Sequence, residues 1–450
     1  MKQSMDMLNG SLGDKILKFS LPVAATAILE QFFIATDVVV VGNFASGDKT
    51  AAMAAVGTDM PIIGMIIFLL LGLALGSNVV IAQSIGRRDF KGVQKAVHTA
   101  LMFSLIAGIV IAVAGQFAVA PILGLLDIPE DVLPAAITYL KIYLLGMPII
   151  LLYNFEAAVF RSVGETQMPL KALIVASIIN IVLNMLFVCI FQMDAAGVAI
   201  ATVLANLVSA LILLQILMKR SDMIHVEVKK LGIDKATFAE VIRIGLPAGV
   251  QNAVFSLANV VIQGAINSLG TTVIAASSAS LLLEMTAYSI FSSFGQACTT
   301  FVGQNYGARQ LDRCRRILKL CLLEDAALTC LAIIIAVFFG KDLLALINDN
   351  PEVVDFAYIR VVTVFSAYFF SLLYDVMSGY LRGFGVSFLP SLLTITGVCG
   401  VRLLWVWLVF PVPAYHNFQW LMYVYPASLG TTAFLIFCAL MWCRPSRRFK

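Results

Sequence analysis

Charged residues are scarce in this chain of 450 residues. They make up 12% of it, whereas soluble proteins contain about 25%. Hydrophobic residues make up 60% of the chain, and its mean hydropathy is +0.95. Because so few charges are available to face water, we expect the chain to lie in a lipid bilayer.

Cysteine and histidine, which bind most catalytic and structural zinc, form no cluster. The eight cysteines include no C-x-x-C pair, and the three histidines are far apart. A Walker loop, a glycine-rich dinucleotide motif and a serine nucleophile elbow are also missing. We therefore expect no cofactor and no site of ATP hydrolysis, and an intramembrane enzyme is disfavoured.

Apolar runs long enough to cross a bilayer recur along the whole chain. A membrane helix needs about 20 apolar residues to cross a hydrocarbon layer of about 30 Å. The sequence therefore predicts an all-α polytopic membrane protein with twelve spans. The predicted spans are residues 16–41, 51–82, 96–120, 135–160, 169–191, 196–218, 239–267, 273–300, 313–339, 353–380, 386–410 and 420–443.

The two halves of the chain repeat each other. Residues 83–88 read Gln-Ser-Ile-Gly-Arg-Arg, and residues 304–309, 221 positions later, read Gln-Asn-Tyr-Gly-Ala-Arg. With a slightly different offset, the Val-Val pair at 38–39 matches the pair at 260–261. The offset of 221 also relates Tyr153 to Tyr374, Arg161 to Arg382, Gly164 to Gly385 and Pro169 to Pro390. A repeat of this length indicates a duplicated half-protein rather than a solenoid.

Each half contains six predicted spans, so the second half enters the membrane in the same sense as the first. Such parallel repeats are related by a pseudo-two-fold axis along the membrane normal. We predict a first lobe over residues 1–220, a cytoplasmic linker over 221–238 and a second lobe over 239–450. Two six-helix lobes of this kind are typical of transporters.

Basic residues predict the orientation. If the N-terminus is cytoplasmic, all but five of the 30 Lys and Arg fall in segments on the cytoplasmic side. The exceptions are Lys49, Lys141, Lys341, Arg360 and Arg402. Because basic loops stay inside, we predict that both termini are cytoplasmic. The net charge of +4 then reflects topology, and we expect no nucleic-acid partner.

Short motifs in both halves resemble those of one transporter family. They are Leu-Pro at 21–22, Asp-Val-Val-Val-Val-Gly at 37–42, Arg-Ser-Val-Gly at 161–164, Phe-Val-Gly-Gln-Asn-Tyr-Gly-Ala at 301–308 and Leu-Arg-Gly-Phe-Gly at 381–385. In order and over nearly the whole chain, the sequence resembles the multidrug and toxic compound extrusion (MATE) family of the bacterial and archaeal DinF-like type. The resemblance implies a monomeric secondary transporter of the bacterial cytoplasmic membrane, with small organic substrates and the lipid bilayer as partners. Such a protein exports amphipathic, cationic organic compounds in exchange for Na⁺ or H⁺.

Ionisable residues inside a membrane are costly and are candidates for function. In the first half these include Glu30, a candidate for the substrate cavity, and Asp37, on the same stripe of span 1. Asn180 and Asn184 share one face of span 5, and Thr202 lies on span 6. Counted from the span ends, Asp37, Asn184 and Thr202 lie at a similar depth, and hard cations such as Na⁺ prefer such oxygen ligands.

The resemblance implies a cation-coupling site at these four positions, Asp37, Asn180, Asn184 and Thr202. At position 184 the family often has a second carboxylate, which this chain lacks. The alternative for the two asparagines is that they only connect neighbouring helices by hydrogen bonds. Related proteins also place a cation site in the second half, on residues that here read Phe255 and Ser371, so we expect that second site to be absent.

The second half offers other polar residues. Glu284, near the middle of span 8, and Tyr288 are suited to an organic cation through charge and cation–π attraction. Together with Glu30, Gln251 and Asn252 they form the predicted substrate cavity. The alternative is that Glu284 pairs with a lone basic residue such as Arg402.

Asp375 is a candidate for an inner gate.

A lipid-linked oligosaccharide flippase of the same superfamily is the alternative function. Such flippases often have extra helices and a cationic cavity. This chain instead has twelve predicted spans with acidic residues at Glu30, Asp37 and Glu284.

Overall fold

The structure, a computed structural model, describes residues 5–125 and 128–445. Within these ranges every regular element is a helix, which confirms the predicted all-α fold. The two chain ends, Met1 and Lys450, whose cytoplasmic location the sequence predicts, lie outside the described residues. In the first half the helices are α1 (Gly13–Phe44), α2 (Lys49–Gly86), α3 (Phe90–Gly124), α4 (Leu133–Leu145), α5 (Met147–Ser162), α6 (Gln167–Met185) and α7 (Asp194–Lys219).

The second half has the corresponding series of helices. They are α8 (Lys235–Asn267), α9 (Thr271–Gly307), α10 (Leu311–Ala345), α11 (Pro351–Gly383), α12 (Phe388–Thr394), α13 (Val401–Leu404), α14 (Phe418–Met422) and α15 (Val424–Cys443). Short π-helical turns follow α6, α12 and α13, at Leu186–Ile190, Ile395–Gly400 and Trp405–Val409.

Eleven of these described segments are long and apolar enough to cross a membrane, and the count is twelve if the bent pair α4 and α5 is one span. This agrees with the predicted number of spans. The fourth span was predicted as one continuous run, but its two helices differ in direction by 48°. The break lies at Gly146, where an added Cβ would come within 2.3 Å of Val203. The next helix begins at Met147, and Pro148, which has no backbone donor, lies in its first turn.

Contacts between Cα atoms divide the chain into two compact units. The first unit holds Ala25–Ile242, and the second holds Asp6–Ala24 together with the chain from Arg243 onward. Helix α1 thus contributes to both units, and Pro22 lies inside it close to the point of division. Proline has no backbone donor, so the series of backbone hydrogen bonds along α1 is interrupted near this point.

The duplication is visible in backbone conformation. Arg88 and Arg309 both have positive φ, 57° and 59°. Gly164 and Gly385 form a second such pair, with φ of 82° and 81°. Both pairs are separated by 221 residues. Because arginine rarely adopts positive φ, two copies at matched positions indicate that the turns after α2 and α9 keep one shared geometry.

The segment between the repeats is attached to the first unit. The Gln94 side chain donates to the carbonyl oxygens of Met223 and His225 over 2.8 and 3.0 Å. Asp234 accepts hydrogen bonds from the backbone and side chain of Thr237 and pairs with Lys95. These contacts lower the pKa of Asp234 to about 2, with the Thr237 backbone hydrogen bond as the largest favourable cause. Asp234 therefore stays charged at neutral pH and caps the start of α8.

Candidate functional site

Asp37 lies at the centre of a buried polar cluster in the first unit. Only 2% of the residue is exposed. One carboxylate oxygen, Oδ1, accepts a hydrogen bond from Asn184 Nδ2 over 2.7 Å, and Oδ2 accepts one from the Thr202 hydroxyl over 2.6 Å. These three side chains come from α1, α6 and α7, so the cluster forms only when the helices pack together.

Asn180 completes the cluster. Its Nδ2 donates to the Thr202 hydroxyl oxygen over 3.2 Å, and its Oδ1 accepts from Asn184 Nδ2 over the same distance. The two asparagines reach each other because residues four apart lie on one face of a helix. The structure therefore brings together all four residues of the predicted cation-coupling site, while their role in coupling stays a prediction.

The charge on Asp37 is balanced only by neutral donors. No Lys or Arg of the described residues forms an ion pair with it, although a carboxylate in a low-dielectric interior is costly without one. A proton or a metal cation would supply the missing positive charge. The site is therefore suited to binding a single monovalent cation.

The oxygen atoms of the cluster fit Na⁺. Asp37, Asn180 and Thr202 each present an oxygen, and Asn184 Oδ1 is buried without a hydrogen-bond partner in the described residues. Rotation of the Asn184 amide would turn this oxygen towards Asp37 in place of Nδ2. Hard cations prefer such oxygen ligands, and one carboxylate would neutralise the charge of Na⁺.

Two buried carboxylates of the first unit were not singled out from the sequence. Asp59 on α2 and Glu156 on α5 are both fully buried, and neither has a hydrogen-bond partner for its carboxylate oxygens in the described residues. The hydroxyl of Tyr139 lies near both Asp37 and Asp59. Each of these acids lies inside a predicted span, so the rule that identified Asp37 would have found them.

Glu284 is not available to a substrate in the way that the sequence suggested. Only 4% of it is exposed, and its two carboxylate oxygens accept from Arg360 Nε and Nη2 over 2.6 and 2.9 Å. Its backbone oxygen accepts from the Tyr368 hydroxyl over 3.1 Å. The prediction that Glu284 attracts a cationic substrate is therefore not supported. A basic residue does pair with it, as the alternative held, but the residue is Arg360 rather than Arg402.

The other predicted substrate and gate residues are distributed between the units. In the first unit, Glu30 lies close enough to Arg161 for their charges to interact. In the second unit, Gln251 accepts from Arg382 Nη2 over 2.7 Å, and Asn252 is half-buried, with no side-chain hydrogen bond in the described residues. Tyr288 and Asp375, also in the second unit, lie near each other and near Arg382. Their roles in a substrate cavity or an inner gate stay predictions.

Comparison with known proteins finds one family in both halves of the chain. The model of the family described as MatE matches residues 22–186 and again residues 247–408. The two matches cover more than half of the chain and coincide with the two repeats.

Individual relatives of this chain are also transporters or bear the names of drug resistance proteins. A probable multidrug resistance protein of Bacillus subtilis, YoeA, is 26% identical over 433 residues, which cover 93% of this chain and 91% of the relative. A protein of Shewanella oneidensis described as an FAD transporter is 24% identical, covering 82% of this chain and 81% of the relative. Among solved structures, an outward-facing multidrug resistance MATE family transporter of the MOP superfamily matches with a TM-score of 0.89 at 19% identity. That match covers 100% of this chain and 99% of the other.

Proposed function

This chain belongs to the MatE family, and on that premise we propose that it is a secondary active transporter that exports amphipathic organic compounds in exchange for Na⁺ or H⁺. The observation that carries the proposal is the buried cluster of Asp37, Asn184 and Thr202, in which a carboxylate is bound only by neutral groups. Such a cluster gains stability from a bound cation, so an ion gradient can act on it.

Coupling follows from differential binding. A cation can drive a conformational change only if it binds one state of the protein more tightly than the other. Asp37, Asn184 and Thr202 come from three helices, so a movement of α1 against α6 and α7 would change the distances among the ligands. Entry of a cation on one side of the membrane would then favour the state that holds these helices together. Protons and Na⁺ would compete, because both bind the same carboxylate.

The substrate is proposed from the relatives and from chemistry. Relatives are described as multidrug resistance proteins and, in one case, as an FAD transporter, so an organic compound is the substrate that they support. The cationic preference expected from Glu284 loses that support, because Arg360 neutralises the carboxylate. A lipid-linked oligosaccharide flippase is less favoured, because relatives of this chain bear names of multidrug resistance proteins and, in one case, of an FAD transporter. We further propose a monomer in the bacterial cytoplasmic membrane with both termini inside.

The test is counterflow in proteoliposomes. The purified protein is reconstituted with an outward substrate gradient, and Na⁺ and H⁺ movements are followed together with efflux of a cationic, a neutral and an anionic dye. We expect dye efflux to be stimulated by an opposing Na⁺ or H⁺ gradient. We expect Asp37→Asn to abolish that stimulation while the protein stays folded, because asparagine keeps the size and polarity without the charge.

A matched control is Glu156→Gln, which removes another buried carboxylate of the first unit that has no hydrogen-bond partner in the described chain. This variant should retain gradient-stimulated efflux. If Asp37→Asn responds to the ion gradients as the wild type does, the coupling site lies elsewhere. If no dye moves in any gradient while a labelled lipid-linked sugar does, the flippase alternative is correct.

A further inference from the structure

The duplication places an uncharged residue in the second unit where the first unit has Asp37. The Val-Val pairs at 38–39 and 260–261 are 222 positions apart. The same offset relates Asp37, on α1, to Asn259, on α8. The second copy of the site therefore lacks the carboxylate on which the first copy is built.

Arg402 lies beside Asn259. Only 2% of Arg402 is exposed, its Nη1 donates to Asn259 Oδ1 over 2.6 Å, and its Nε donates to the Ser428 hydroxyl over 3.4 Å. These partners lie on α8 and α15, the first and last helices of the second repeat. In the first repeat, Asp37 and Thr202 lie on the corresponding helices, α1 and α7.

The helix that carries Arg402 also corresponds to the helix that carries Asn180. Pro169 in α6 and Pro390 in α12 are 221 positions apart, and the π turn over Ile395–Gly400 then leads into α13. A π turn closes its hydrogen bonds one residue later than an α turn, so it accommodates one extra residue. The offset beyond it is 222, and Arg402 then corresponds to Asn180.

The guanidinium group of Arg402 is stabilised by aromatic rings and neutral oxygens. Its central carbon lies 4.9 Å from the centroid of the Phe255 ring and 4.8 Å from that of Tyr425, within the range of cation–π attraction. No carboxylate of the described chain forms an ion pair with it, and Glu284 is bound by Arg360. A buried positive charge therefore sits among groups that would also hold a free cation.

We propose that Arg402 is a tethered cation that permanently fills, in the second unit, the position at which the first unit binds its exchangeable coupling ion. The inference rests on the proposed function of the Asp37 cluster. Its consequence is that the second unit is always in its cation-loaded form. The transporter then exchanges a single coupling cation per substrate, and that ion enters only at Asp37.

The first experiment is chemical rescue. Truncation in Arg402→Ala leaves a space of guanidinium shape beside Asn259, Phe255 and Tyr425. We expect gradient-driven dye efflux to fall at least about tenfold, as loss of a charged hydrogen-bonding group implies. Millimolar guanidinium chloride should restore it, whereas urea, which has a similar shape without charge, should not. Wild-type protein with guanidinium and the variant with choline chloride control for effects of salt.

The same rescue can be measured without transport. Guanidinium should raise the thermal unfolding temperature of purified Arg402→Ala protein, and urea at equal concentration should not. Arg402→Lys keeps the charge and should retain most of the efflux even if Arg402→Ala folds poorly. Wild-type efflux by Arg402→Ala in buffer without guanidinium overturns the proposal. So does a variant that guanidinium neither stabilises nor reactivates, because Arg402 would then act by packing.

A second experiment converts the second unit into an exchangeable site. The double variant Asn259→Asp with Arg402→Met restores the carboxylate and removes the tethered charge. We expect the number of cations moved per substrate to double and the cation dependence of efflux to become steeper. An unchanged ratio in active protein contradicts the proposal. If instead Asp37→Asn exports with unchanged coupling while guanidinium still stabilises Arg402→Ala, the proposed function of the first unit fails and the guanidinium site itself stands.

Discussion

The two units of this protein bury opposite charges among corresponding sets of helices. In the first unit, Asp37 is surrounded by neutral donors from α6 and α7. In the second unit, Arg402 is surrounded by the neutral acceptor Asn259, the hydroxyl of Ser428 and two aromatic rings. Each charge lacks an ion-pair partner in the described chain. A duplicated site can therefore keep its position in the fold while its charge is inverted.

The second unit also contains two buried charges that do form an ion pair. Glu284 and Arg360 neutralise each other in a bidentate pair, and Arg360 Nη2 also donates to the Tyr425 hydroxyl over 3.4 Å. The ring of Tyr425 is within cation–π distance of both Arg360 and Arg402, so this side chain contacts both guanidinium groups. The described chain thus contains a buried ion pair whose charges compensate each other, Glu284 with Arg360, and buried charges without an ion-pair partner, among them Asp37 and Arg402.

The greatest change in stability is expected when the ion pair of Glu284 and Arg360 is broken. Glu284→Gln leaves the Arg360 charge buried without a carboxylate. We expect the free energy of unfolding to fall by about 3–5 kcal/mol, the usual result of removing one partner of a buried ion pair. Thermal or denaturant unfolding in detergent measures this loss.

Replacing both partners in the double variant Glu284→Gln with Arg360→Met should recover much of that stability, because no buried charge remains unpaired. Efflux of cationic and neutral dyes by surviving Glu284→Gln protein should decrease to the same extent. A selective loss of efflux of cationic dyes would instead show that Glu284 binds substrate. Its charge would then not be reserved for the ion pair with Arg360.

A smaller effect is expected at the free charge of the first unit. Thr202→Val removes the hydroxyl that donates to Asp37 and accepts from Asn180. We expect a loss of about 1–3 kcal/mol, since two buried polar groups lose a partner. Added Na⁺ should stabilise this variant less than it stabilises the wild type, as measured by thermal unfolding across a series of Na⁺ concentrations.

Thr432→Val is the matched control. Thr432 is a buried threonine of α15, and its hydroxyl donates only to the Ser428 carbonyl oxygen of its own helix. This variant should keep the wild-type response to Na⁺. If Thr202→Val and Thr432→Val respond alike to Na⁺, the Asp37 cluster is not the ion site. The difference in charge between the two units would then have no role in coupling.

A change of about the same size or smaller is expected when a negative charge is added to the Asp37 cluster. Asn184→Asp places a second carboxylate beside Asp37, and two carboxylates in one buried site repel each other unless a cation binds. We expect Na⁺ to bind about tenfold more tightly, a change of about 1.4 kcal/mol. The Na⁺ concentration that gives half-maximal efflux reports this change.

The control for Asn184→Asp is Asn154→Asp, at a half-buried asparagine of α5 whose amide bonds only to its own helix. It should leave the Na⁺ dependence unchanged. Equal shifts in both variants would point to a general effect of added negative charge rather than to ion coordination.

Much of the architecture was predictable because membrane helices have simple rules. The bilayer requires long apolar runs, so the positions of these runs along the sequence predict twelve spans. The break of the fourth span was missed because Gly146 and Pro148 are common inside membrane helices, and only contact with Val203 shows that Gly146 leaves no room for a side chain. The acids Asp59 and Glu156 could have been identified, because each lies inside a predicted span, where an ionisable residue is costly.

Hydropathy and repeated motifs are properties of the linear chain, so the sequence was sufficient to identify a duplicated, twelve-span membrane protein of one transporter family. It also identified Asp37 and the three residues around it. Which charges are paired could be read only from the folded structure. Arg360 is 76 residues from its ion-pair partner Glu284, and Arg402, which has no ion-pair partner in the described chain, is 143 residues from the neutral acceptor Asn259. Charge pairing depends on distances of a few ångströms between helices, and these distances are set by packing rather than by separation along the chain.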